Sequence, residues 1–487
     1  MPKRISTIAL SNLAPHRRTA HLRTLAPVRP RTAHCRTRAP RPFALVRRLL
    51  AIFFVLVLLP VLASAQATPN VVLIVTDDVG YGDIGSYGAP DIKTPNIDRL
   101  AKDGTRLTDF YAAPTCTPTR AALISGRYQQ RVRLERPLGG SASVDRDRGL
   151  PATGRSLPQL LKNNGYATGL IGKWHLGYKK EYQPSAHGFD YFFGFLGGLI
   201  DYYQHTGGDG KHDLYENDAP VHVDGYMTDL ITERSVKFIE DHARGPFFLE
   251  VAYNAAHWPF QVPDKPSIAP NNARFVQPSD ADTSTRADYV AILERADRGV
   301  GQILEALTRA GLVRNTLVIF TNDNGGEWLS RNAPLFQRKD TLWEGGIRVP
   351  LIMRWPGRIP AGRVSSQVGI TMDLTASILA ATNTPAPADA RLEGIDLLPM
   401  LTGHAAPVER TLFFRIASNQ RQQRSVRQGD WKLLIDGDDM LLFNLTQDIG
   451  ERQDLAKDRS DIARRLRPLI AEWEKDVDAE AKARENR

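Results

Sequence analysis

Cysteine is almost absent from this chain. Only Cys35 and Cys116 occur in its 487 residues. Cys35 lies in an N-terminal stretch that we expect to be removed, which would leave Cys116 alone. A single cysteine cannot form an internal disulfide, so the fold must be stable without one. The lone thiol is either a small buried apolar side chain or a residue kept for its chemistry.

Acidic residues are absent from residues 1–65, which hold twelve of the 63 lysines and arginines. The formal charge of +9 therefore belongs to this stretch, because the rest of the chain has 51 basic and 54 acidic residues. Without its N-terminal stretch the protein is not basic. Nucleic-acid binding then has no support in the charge, and we expect no nucleic-acid partner.

The chain also lacks a long uninterrupted apolar run. The run "LLAIFFVLVLLPVLASA" follows Arg47 and Arg48, contains Pro60 and ends in a small-x-small cleavage pattern. It is short for a membrane span. We therefore expect residues 1–65 to be an export leader with an over-long basic N-terminus, cleaved after Ala65. An uncleaved anchor is the alternative. The mature protein is expected in the periplasm or secreted, without stable membrane association.

Four apolar runs have the character of buried strands. They are "NVVLIVTDD", "YATGLIGKWH", "GPFFLEVAYNAAHWP" and "NTLVIFTNDNGG". Helical patterns lie between them, in "TPNIDRLAKDGT", "SLPQLLKNNG" and "RADYVAILERADRGVGQILEALTRAG". Continuous apolar strands that alternate with helices predict an α/β fold, with a mostly parallel sheet flanked by helices.

The pattern changes after about Pro385. The segment "RSVRQGDWKLLIDGDDMLLFNLTQD" predicts short strands joined by Gly/Asp turns, and a charged helical segment follows it. We expect a catalytic domain over residues 66–384 and a small C-terminal α+β subdomain with an antiparallel sheet over residues 385–487. The charges of the last helix are expected to form a solvated face and a frayed terminus.

Polar residues follow the carboxyl ends of all four predicted strands. Ligands bind along that edge of open α/β sheets, so residues far apart in sequence are expected to converge there. Any one of them is more simply a polar loop residue, but four coincidences indicate a site. The residues are Asp77, Asp78, Lys173, His175, His257, Asp323 and Asn324.

Part of this set has the chemistry of a hard-cation site. Asp77, Asp78, Asp323 and Asn324 offer three carboxylates and one amide oxygen, which suit Ca²⁺ or Mg²⁺. One acidic pair alone is common on protein surfaces. The second pair, after another strand, strengthens the prediction.

The lone interior cysteine lies in "PTCTPTRAALISGRY". Pro118 fits the first position of a helix, which places Cys116 and Thr117 at its N-terminal cap. Free amides there favour an anion, and the guanidinium of Arg120 suits a tetrahedral oxyanion. Lys173, His175, His257 and Lys339 would add cations and proton-transfer groups. These residues predict a pocket for a compact anion.

The segment "CTPTRAALISGRY" resembles the signature of the sulfatase family, Cys-x-Pro-Ser/Thr-Arg followed by Leu-x-Ser/Thr-Gly. Thr119 is an allowed variant of the motif serine. The resemblance runs from about Pro69 to about Leu455, through "GYATGLIGKWHLG", "HGFDYFFGF", "TNDNGG", "LWEGGIRVP" and "RQGDWKLL". It implies an alkaline-phosphatase-like α/β domain with a small four-stranded C-terminal domain.

The resemblance also implies a chemistry. A formylglycine-generating maturation enzyme would oxidise Cys116 to Cα-formylglycine, whose hydrate attacks sulfate with one hydroxyl and expels it with the other. The resemblance implies that Ca²⁺ is held by Asp77, Asp78, Asp323, Asn324 and the oxygen at Cys116, and that Asp323 also activates the nucleophile. Arg120 and Lys173 would orient the hydrate and the sulfate. His175 would trigger the elimination of sulfate, and His257 with Lys339 would protonate the leaving oxygen.

One segment matches loosely. The family usually has Gly-Gly-Lys-Gly where this chain has "QRKDTLWEGG". The spacing to the following Trp-Glu-Gly-Gly favours Lys339 over Arg338, because an ammonium group can lose a proton and a guanidinium cannot.

The remaining histidines are more simply packing or surface residues: His187, His205, His212, His222, His242 and His404. His205 stands apart, because it lies in a Gly- and Tyr-rich insertion that resembles the region following "GFD" in N-acetylgalactosamine-4-sulfatases. This resemblance favours a sulfated sugar as substrate, with an aryl sulfate as the other choice. A phosphodiesterase or phosphonate hydrolase of the same superfamily and a non-catalytic glycan-binding relative are the alternative functions.

Overall fold

A computed structural model describes residues 68–140, 143–266, 283–417 and 421–485. The predicted leader with Cys35 and its cleavage position lies outside the described residues. Within the described ranges, no helix is both long and apolar enough to cross a membrane.

An 11-stranded mixed sheet forms the centre of the described fold. Its strands follow the order β10-β2-β9-β8-β1-β7-β3-β4-β5-β6, and β11 also pairs with β2. The five neighbours β8, β1, β7, β3 and β4 run parallel. The strand bounds are β1 (Asn70–Thr76), β2 (Thr105–Tyr111), β3 (Ala167–Lys173), β4 (Tyr191–Phe195), β5 (Tyr215–Glu216), β6 (Ala219–Pro220), β7 (Phe247–Ala252), β8 (Thr316–Asn322), β9 (Arg348–Arg354), β10 (Arg363–Ser365) and β11 (Gly369–Ile370).

The four apolar runs of the sequence supply β1, β3, β7 and β8, so the predicted α/β fold is confirmed. Each run is continuous in apolar residues because the sheet is covered on both faces. In β1, Val72 and Ile74 pack into one core, while Val71 and Leu73 pack into the other.

Helices cover both faces of the sheet. Their bounds in the described residues are α1 (Pro95–Lys102), α2 (Cys116–Ser125), α3 (Leu157–Asn163), α4 (Met227–Asp241), α5 (Arg286–Arg309), α6 (Glu344–Ile347), α7 (Met372–Ala381), α8 (Leu398–Thr402) and α9 (Ser460–Glu485). The three predicted helices appear as α1, α3 and α5. Thr94 precedes α1 with Pro95 at its first position, and Thr285 forms a capping box with Asp288 at the start of α5.

The start of α2 differs from the prediction. The helix begins at Cys116, after Thr115, and Pro118 occupies its third position rather than its first. Proline is tolerated there because the first four N–H groups of a helix have no intrahelical partner. Cys116 is therefore the first helical residue rather than a cap residue.

The C-terminal segment forms a second sheet of four antiparallel strands, β12 (Thr411–Ala417), β13 (Gln422–Gln428), β14 (Trp431–Asp436) and β15 (Asp439–Asn444), as predicted. Helix α9 does more than expose a solvated face. It buries Leu466 and Val477, while Asp476 and Glu480 form ion pairs with Arg131. Its charges connect to the loop that follows α2.

A buried ionic cluster joins the two sheets. The ammonium group of Lys432 on β14 lies 2.8 Å from a carboxylate oxygen of Glu344 and 2.8 Å from one of Glu451, and all three side chains are fully buried. Burial raises the pKa of Glu344, but Lys432 and Arg348 outweigh it and hold the pKa at about 2. Burial raises the pKa of Glu451 to about 7. Lys432 therefore compensates the negative charge at this junction.

Substitution of Lys432 tests the junction. Lys432→Met is expected to lower the free energy of unfolding by about 3 to 5 kcal/mol, because the buried Glu451 loses its cation and the buried Glu344 is left with Arg348. Urea denaturation of the purified variant measures the loss. The matched control Lys237→Met removes a 67% exposed ammonium group and is expected to change stability by less than about 0.5 kcal/mol. A loss below about 1 kcal/mol for Lys432→Met would contradict the role assigned to the cluster.

Candidate functional site

The site begins where β1 ends. Asp77 and Asp78 follow this strand directly, and Asp78 has a left-handed backbone with φ of 58°. The side chain of Asn322, at the end of β8, accepts a hydrogen bond from the Val79 N–H at 3.2 Å and donates one to the Val79 carbonyl at 2.9 Å. These bonds fix the turn, and the strained conformation of Asp78 is typical of a functional position.

Three carboxylates of the site each face a basic side chain. The shortest N···O distances are 2.6 Å from Lys173 to Asp77, 2.7 Å from Lys339 to Asp78, and 2.8 Å from Arg120 to Asp323. Five of these side chains are at most 4% exposed and Lys339 is 11% exposed. The pairs bring together residues from five separate chain segments, three of which lie at the ends of β1, β3 and β8, where the strand-end argument predicted convergence. Lys339 reaches the site, whereas the side chain of Arg338 is 56% exposed.

Cys116 lies beside this cluster. Its Sγ is 3.7 Å from an oxygen of Asp77, and the residue is 2% exposed. Burial raises the pKa of the Cys116 thiol to about 12, although Lys173 and Lys339 oppose the shift. The unmodified side chain is therefore a neutral thiol at physiological pH and a poor nucleophile.

His175 has a ring nitrogen without a hydrogen-bond partner among the described residues. Its Nε2 donates to the Leu138 carbonyl at 2.9 Å, while Nδ1 is buried without a hydrogen-bond partner. Burial, with a contribution from Lys173, lowers the pKa of His175 well below its usual value. A neutral ring with an unshared Nδ1 lone pair can accept a proton. The Thr117 hydroxyl accepts from the Leu138 N–H and donates to the His175 carbonyl, which fixes both residues against α2.

His257 lies on the other side of Asp78. Its Nε2 is 3.5 Å from an oxygen of Asp78, and its Nδ1 contacts the Trp258 carbonyl. Burial lowers the pKa of His257 to about 3 despite the nearby Asp78 carboxylate. Lys339 differs. Burial lowers its pKa, but Asp78, together with Cys116 and Glu327, outweighs burial and raises the Lys339 pKa well above its usual value. At neutral pH, Lys339 is therefore the member of this pair that carries a proton.

The cluster fits a hard cation. Ligand atoms of Asp77, Asp78, Cys116 and His257 all lie within 4.8 Å of one another. The Oδ1 atoms of Asp323 and Asn324 are buried and have no hydrogen-bond partner in the described ranges, which is costly unless a cation or proton satisfies them. Burial and the Asp323 carboxylate raise the pKa of Asp77 to about 8, so positive charge bound at this position would favour its ionised form. The structure thus places His257 in the ligand group, where the sequence assigned it only proton transfer.

Comparison with known proteins decides the family. The Sulfatase family profile matches residues 69–384, and the profile for the N-sulphoglucosamine sulphohydrolase C-terminal region matches residues 334–476. The chain belongs to the sulfatase family. This membership makes it a sulfuric ester hydrolase and confirms the resemblance that the cysteine motif carries.

Curated relatives agree with this family. This sulfatase is 36% identical to the N-acetylgalactosamine-6-sulfatase of Rattus norvegicus over 73% of its own length and 71% of the relative. It is 33% identical to arylsulfatase G of Homo sapiens over 71% of each chain. These names include both sugar and aryl sulfatases. The sugar sulfatase is named for sulfate at position 6, whereas the insertion around His205 resembles a region of N-acetylgalactosamine-4-sulfatases.

Solved structures support the fold. The structure titled Ps i-CgsB in complex with k-i-k-neocarrahexaose is 31% identical, covers 84% of this sulfatase and 93% of that chain, and has a TM-score of 0.76. The PsFucS1 sulfatase from Pseudoalteromonas sp. is 26% identical, with a TM-score of 0.68 and coverage of 91% and 95%. The fold is therefore shared with other sulfatases.

The histidines outside the site make local contacts. His187, His205 and His212 each bond a backbone carbonyl through Nε2, and His242 does so through Nδ1. His205 is 3% exposed, so it supports the insertion from within.

The sequence indicated no role for Asn322 and Thr117. Both position candidate catalytic residues through hydrogen bonds to loops that are distant in sequence. Only the register of β1 against β8 could have indicated Asn322.

The buried thiol gives a direct test of this geometry. In metal-free, unmodified protein at pH 8, Cys116 is expected to react with iodoacetamide at least about 100-fold more slowly in the native state than in urea, because burial leaves little thiolate. Peptide mass spectrometry of the Cys116 peptide against time measures both rates. Comparable rates in the two states would show that the thiol is exposed or ionised.

Proposed function

We propose that this sulfatase removes sulfate from a sulfated carbohydrate, with Cα-formylglycine made from Cys116 as the nucleophile and a Ca²⁺ ion in the carboxylate cluster. The observation that carries the proposal is the convergence at Cys116 of three buried acid–base pairs and the unpartnered Nδ1 of His175. A formylglycine-generating maturation enzyme is the partner that this chemistry requires.

The relatives favour a sugar over an aryl sulfate. N-acetylgalactosamine-6-sulfatases from several mammals are 34–36% identical to this chain, and a structure at 31% identity holds a carrahexaose. Arylsulfatases G and J are also similar, at 33% and 34% identity, so an aryl sulfate is the second candidate substrate.

The proposed reaction has two steps. The formylglycine hydrate at position 116 would supply a hydroxyl that attacks sulfur as the S–O bond to the alcohol breaks. Lys339, with His257 beside it, gives a proton to the departing alcohol. Asp323 accepts the proton of the attacking hydroxyl, and Arg120 holds Asp323 in place through two N–H groups. Nδ1 of His175 then takes the proton of the second hydroxyl, so that sulfate leaves and the aldehyde re-forms. Water regenerates the hydrate.

The residues that would hold Ca²⁺ are Asp77, Asp78, Asp323 and Asn324, with the formylglycine oxygen. When bound, the ion supplies positive charge that stabilises negative oxygens of sulfate and of the nucleophile. The unpartnered Oδ1 atoms of Asp323 and Asn324 support an oxygen-rich cation site, and His257 lies at its edge.

We further propose that the chain is exported through residues 1–65 and acts in the periplasm or as a secreted protein. The uninterrupted basic charge and the apolar run before Ala65 support this localisation.

The nucleophile is tested by its chemistry. In protein co-expressed with the maturation enzyme, the Cys116 peptide is expected to lack a thiol and to react with a hydrazide. The matured protein should release sulfate from sulfated galactose or N-acetylgalactosamine, and Cys116→Ala should lower this rate by about 1,000-fold or more, because the nucleophile is gone. Sulfate and phosphate esters of the same alcohol are assayed side by side. Faster phosphate release would favour the phosphodiesterase alternative, and a fully converted aldehyde with no activity would favour a glycan-binding role.

The proton donor is tested by the leaving group. Lys339→Arg keeps the charge that faces Asp78 but has no proton to give at neutral pH. It is expected to slow hydrolysis of a sugar sulfate by about 100-fold or more, and that of 4-nitrophenyl sulfate much less, since nitrophenolate leaves without protonation. Steady-state kcat for both substrates measures the difference. Equal losses would show that Lys339 acts through its charge alone.

A further inference from the structure

A carboxylate and an indole on the loop that leads to Lys339 have no part in the proposed mechanism. Glu327 and Trp328 follow Asp323 and Asn324 after two glycines. The side chain of Glu327 is 33% exposed, and Trp328 is half-buried. Both side chains can therefore be reached from solvent at the edge of the site.

Backbone hydrogen bonds fix this dipeptide next to the proton donor. The Lys339 N–H donates to the Gly326 carbonyl at 3.2 Å. The side chain of Asn332 accepts from the Gly326 N–H and donates to its carbonyl, both at 2.9 Å. The two ends of the loop 326–339 are therefore joined by a hydrogen bond. Burial raises the pKa of Glu327 and the nearby charge of Lys339 opposes this shift, so the carboxylate lies within electrostatic reach of the proposed proton donor.

Glu327 retains capacity to accept hydrogen bonds. Arg338, its ion-pair partner among the described residues, is 3.9 Å away, which is longer than a hydrogen bond. An exposed pair at this distance contributes little. Two carboxylate oxygens at the edge of the site can therefore accept hydrogen bonds from hydroxyl groups of a ligand.

Trp328 is supported from within the protein. Its ring centroid lies 5.9 Å from that of Phe260, and Phe260 in turn packs against the buried Tyr289 at 6.1 Å. An indole held in this way is a rigid apolar surface with one polar N–H. The pairing of a fixed aromatic ring with a carboxylate suits a ligand that has both C–H faces and hydroxyl groups.

We propose that Glu327 and Trp328 bind the pyranose ring that bears the sulfate. The carboxylate accepts hydrogen bonds from a free hydroxyl beside the sulfate, and the indole packs against the C–H face of the ring. This inference rests on the proposed sulfatase reaction and makes its substrate a sugar with a free hydroxyl next to the sulfate. A second sulfate at that hydroxyl would face the Glu327 carboxylate and is selected against by like charge.

The test uses fully matured protein. Its substrates are a panel of galactose and N-acetylgalactosamine 4- and 6-sulfates, the doubly sulfated N-acetylgalactosamine, a carrageenan hexasaccharide and 4-nitrophenyl sulfate. Glu327→Gln is expected to raise KM about tenfold for the best monosulfated sugar and to change kcat less. The hydrogen bonds to the charged acceptor are made in both the ground and the transition state, while Glu327 contributes only part of the charge that raises the Lys339 pKa. The same variant is expected to reduce the preference for the monosulfated over the doubly sulfated sugar.

Variants of Trp328 separate recognition from folding. Trp328→Ala should raise KM for the sugar about tenfold. Trp328→Phe, which keeps an aromatic face, should restore most of the loss. The matched control Glu233→Gln alters an exposed glutamate on α4 and should behave as wild type. Thermal denaturation midpoints identify any variant that fails to fold.

The outcomes distinguish the two proposals. Hydrolysis of 4-nitrophenyl sulfate without hydrolysis of any sugar in the panel would overturn the sugar-binding role while leaving the sulfatase reaction intact. Unchanged ratios of sugar to aryl kcat/KM in both Glu327→Gln and Trp328→Ala would also overturn it. No activity on any sulfate ester, with the aldehyde verified, would instead contradict the proposed function.

Discussion

Three buried carboxylates, each paired with a basic side chain, are the constraint on which the rest of the site depends. Transfer of a charge from water costs several kcal/mol per ion, and loss of one partner leaves an uncompensated buried charge. The pairs of Asp77 with Lys173, Asp78 with Lys339 and Asp323 with Arg120 must therefore form together. Their formal charges cancel, so a divalent cation would make the site positive. A positive site favours an anionic sulfate ester and then the doubly charged sulfate product.

The fold meets this constraint through one edge of one sheet. Strand β1 lies beside β8 and is separated from β3 by one strand, and each of the three delivers charged residues within two positions of its end. Helix α2 adds Cys116 at its first position, where unpaired N–H groups favour an anion. Because these strands are buried on both faces, their positions are fixed by packing. The catalytic geometry is therefore set by the apolar core.

Much of this could be predicted from the sequence, because it depends on periodic patterns and on a specific motif. The apolar runs determine the parallel strands, and polar residues at their ends converge by topology. Other features depend on contacts that no local pattern encodes. Asn322 acts through a loop more than 240 positions away, and Glu327 lies beside Lys339 only because the loop closes at Gly326. The charge of helix α9 predicted a solvated face, but its acidic side chains form ion pairs with an arginine that follows α2. The start of α2 was misplaced because proline fits several positions of a first turn.

The small sheet also contributes to the site. The segment that carries Lys339 runs on into Glu344, whose carboxylate is held by Lys432 of β14. Along the way, the Leu342 N–H donates to the side chain of Gln423 on β13 at 2.7 Å. The second family profile begins at residue 334, so it spans this segment together with the small sheet. Since an ammonium group must be placed within hydrogen-bond distance to protonate a leaving oxygen, the C-terminal sheet acts as the rigid support for the proposed proton donor.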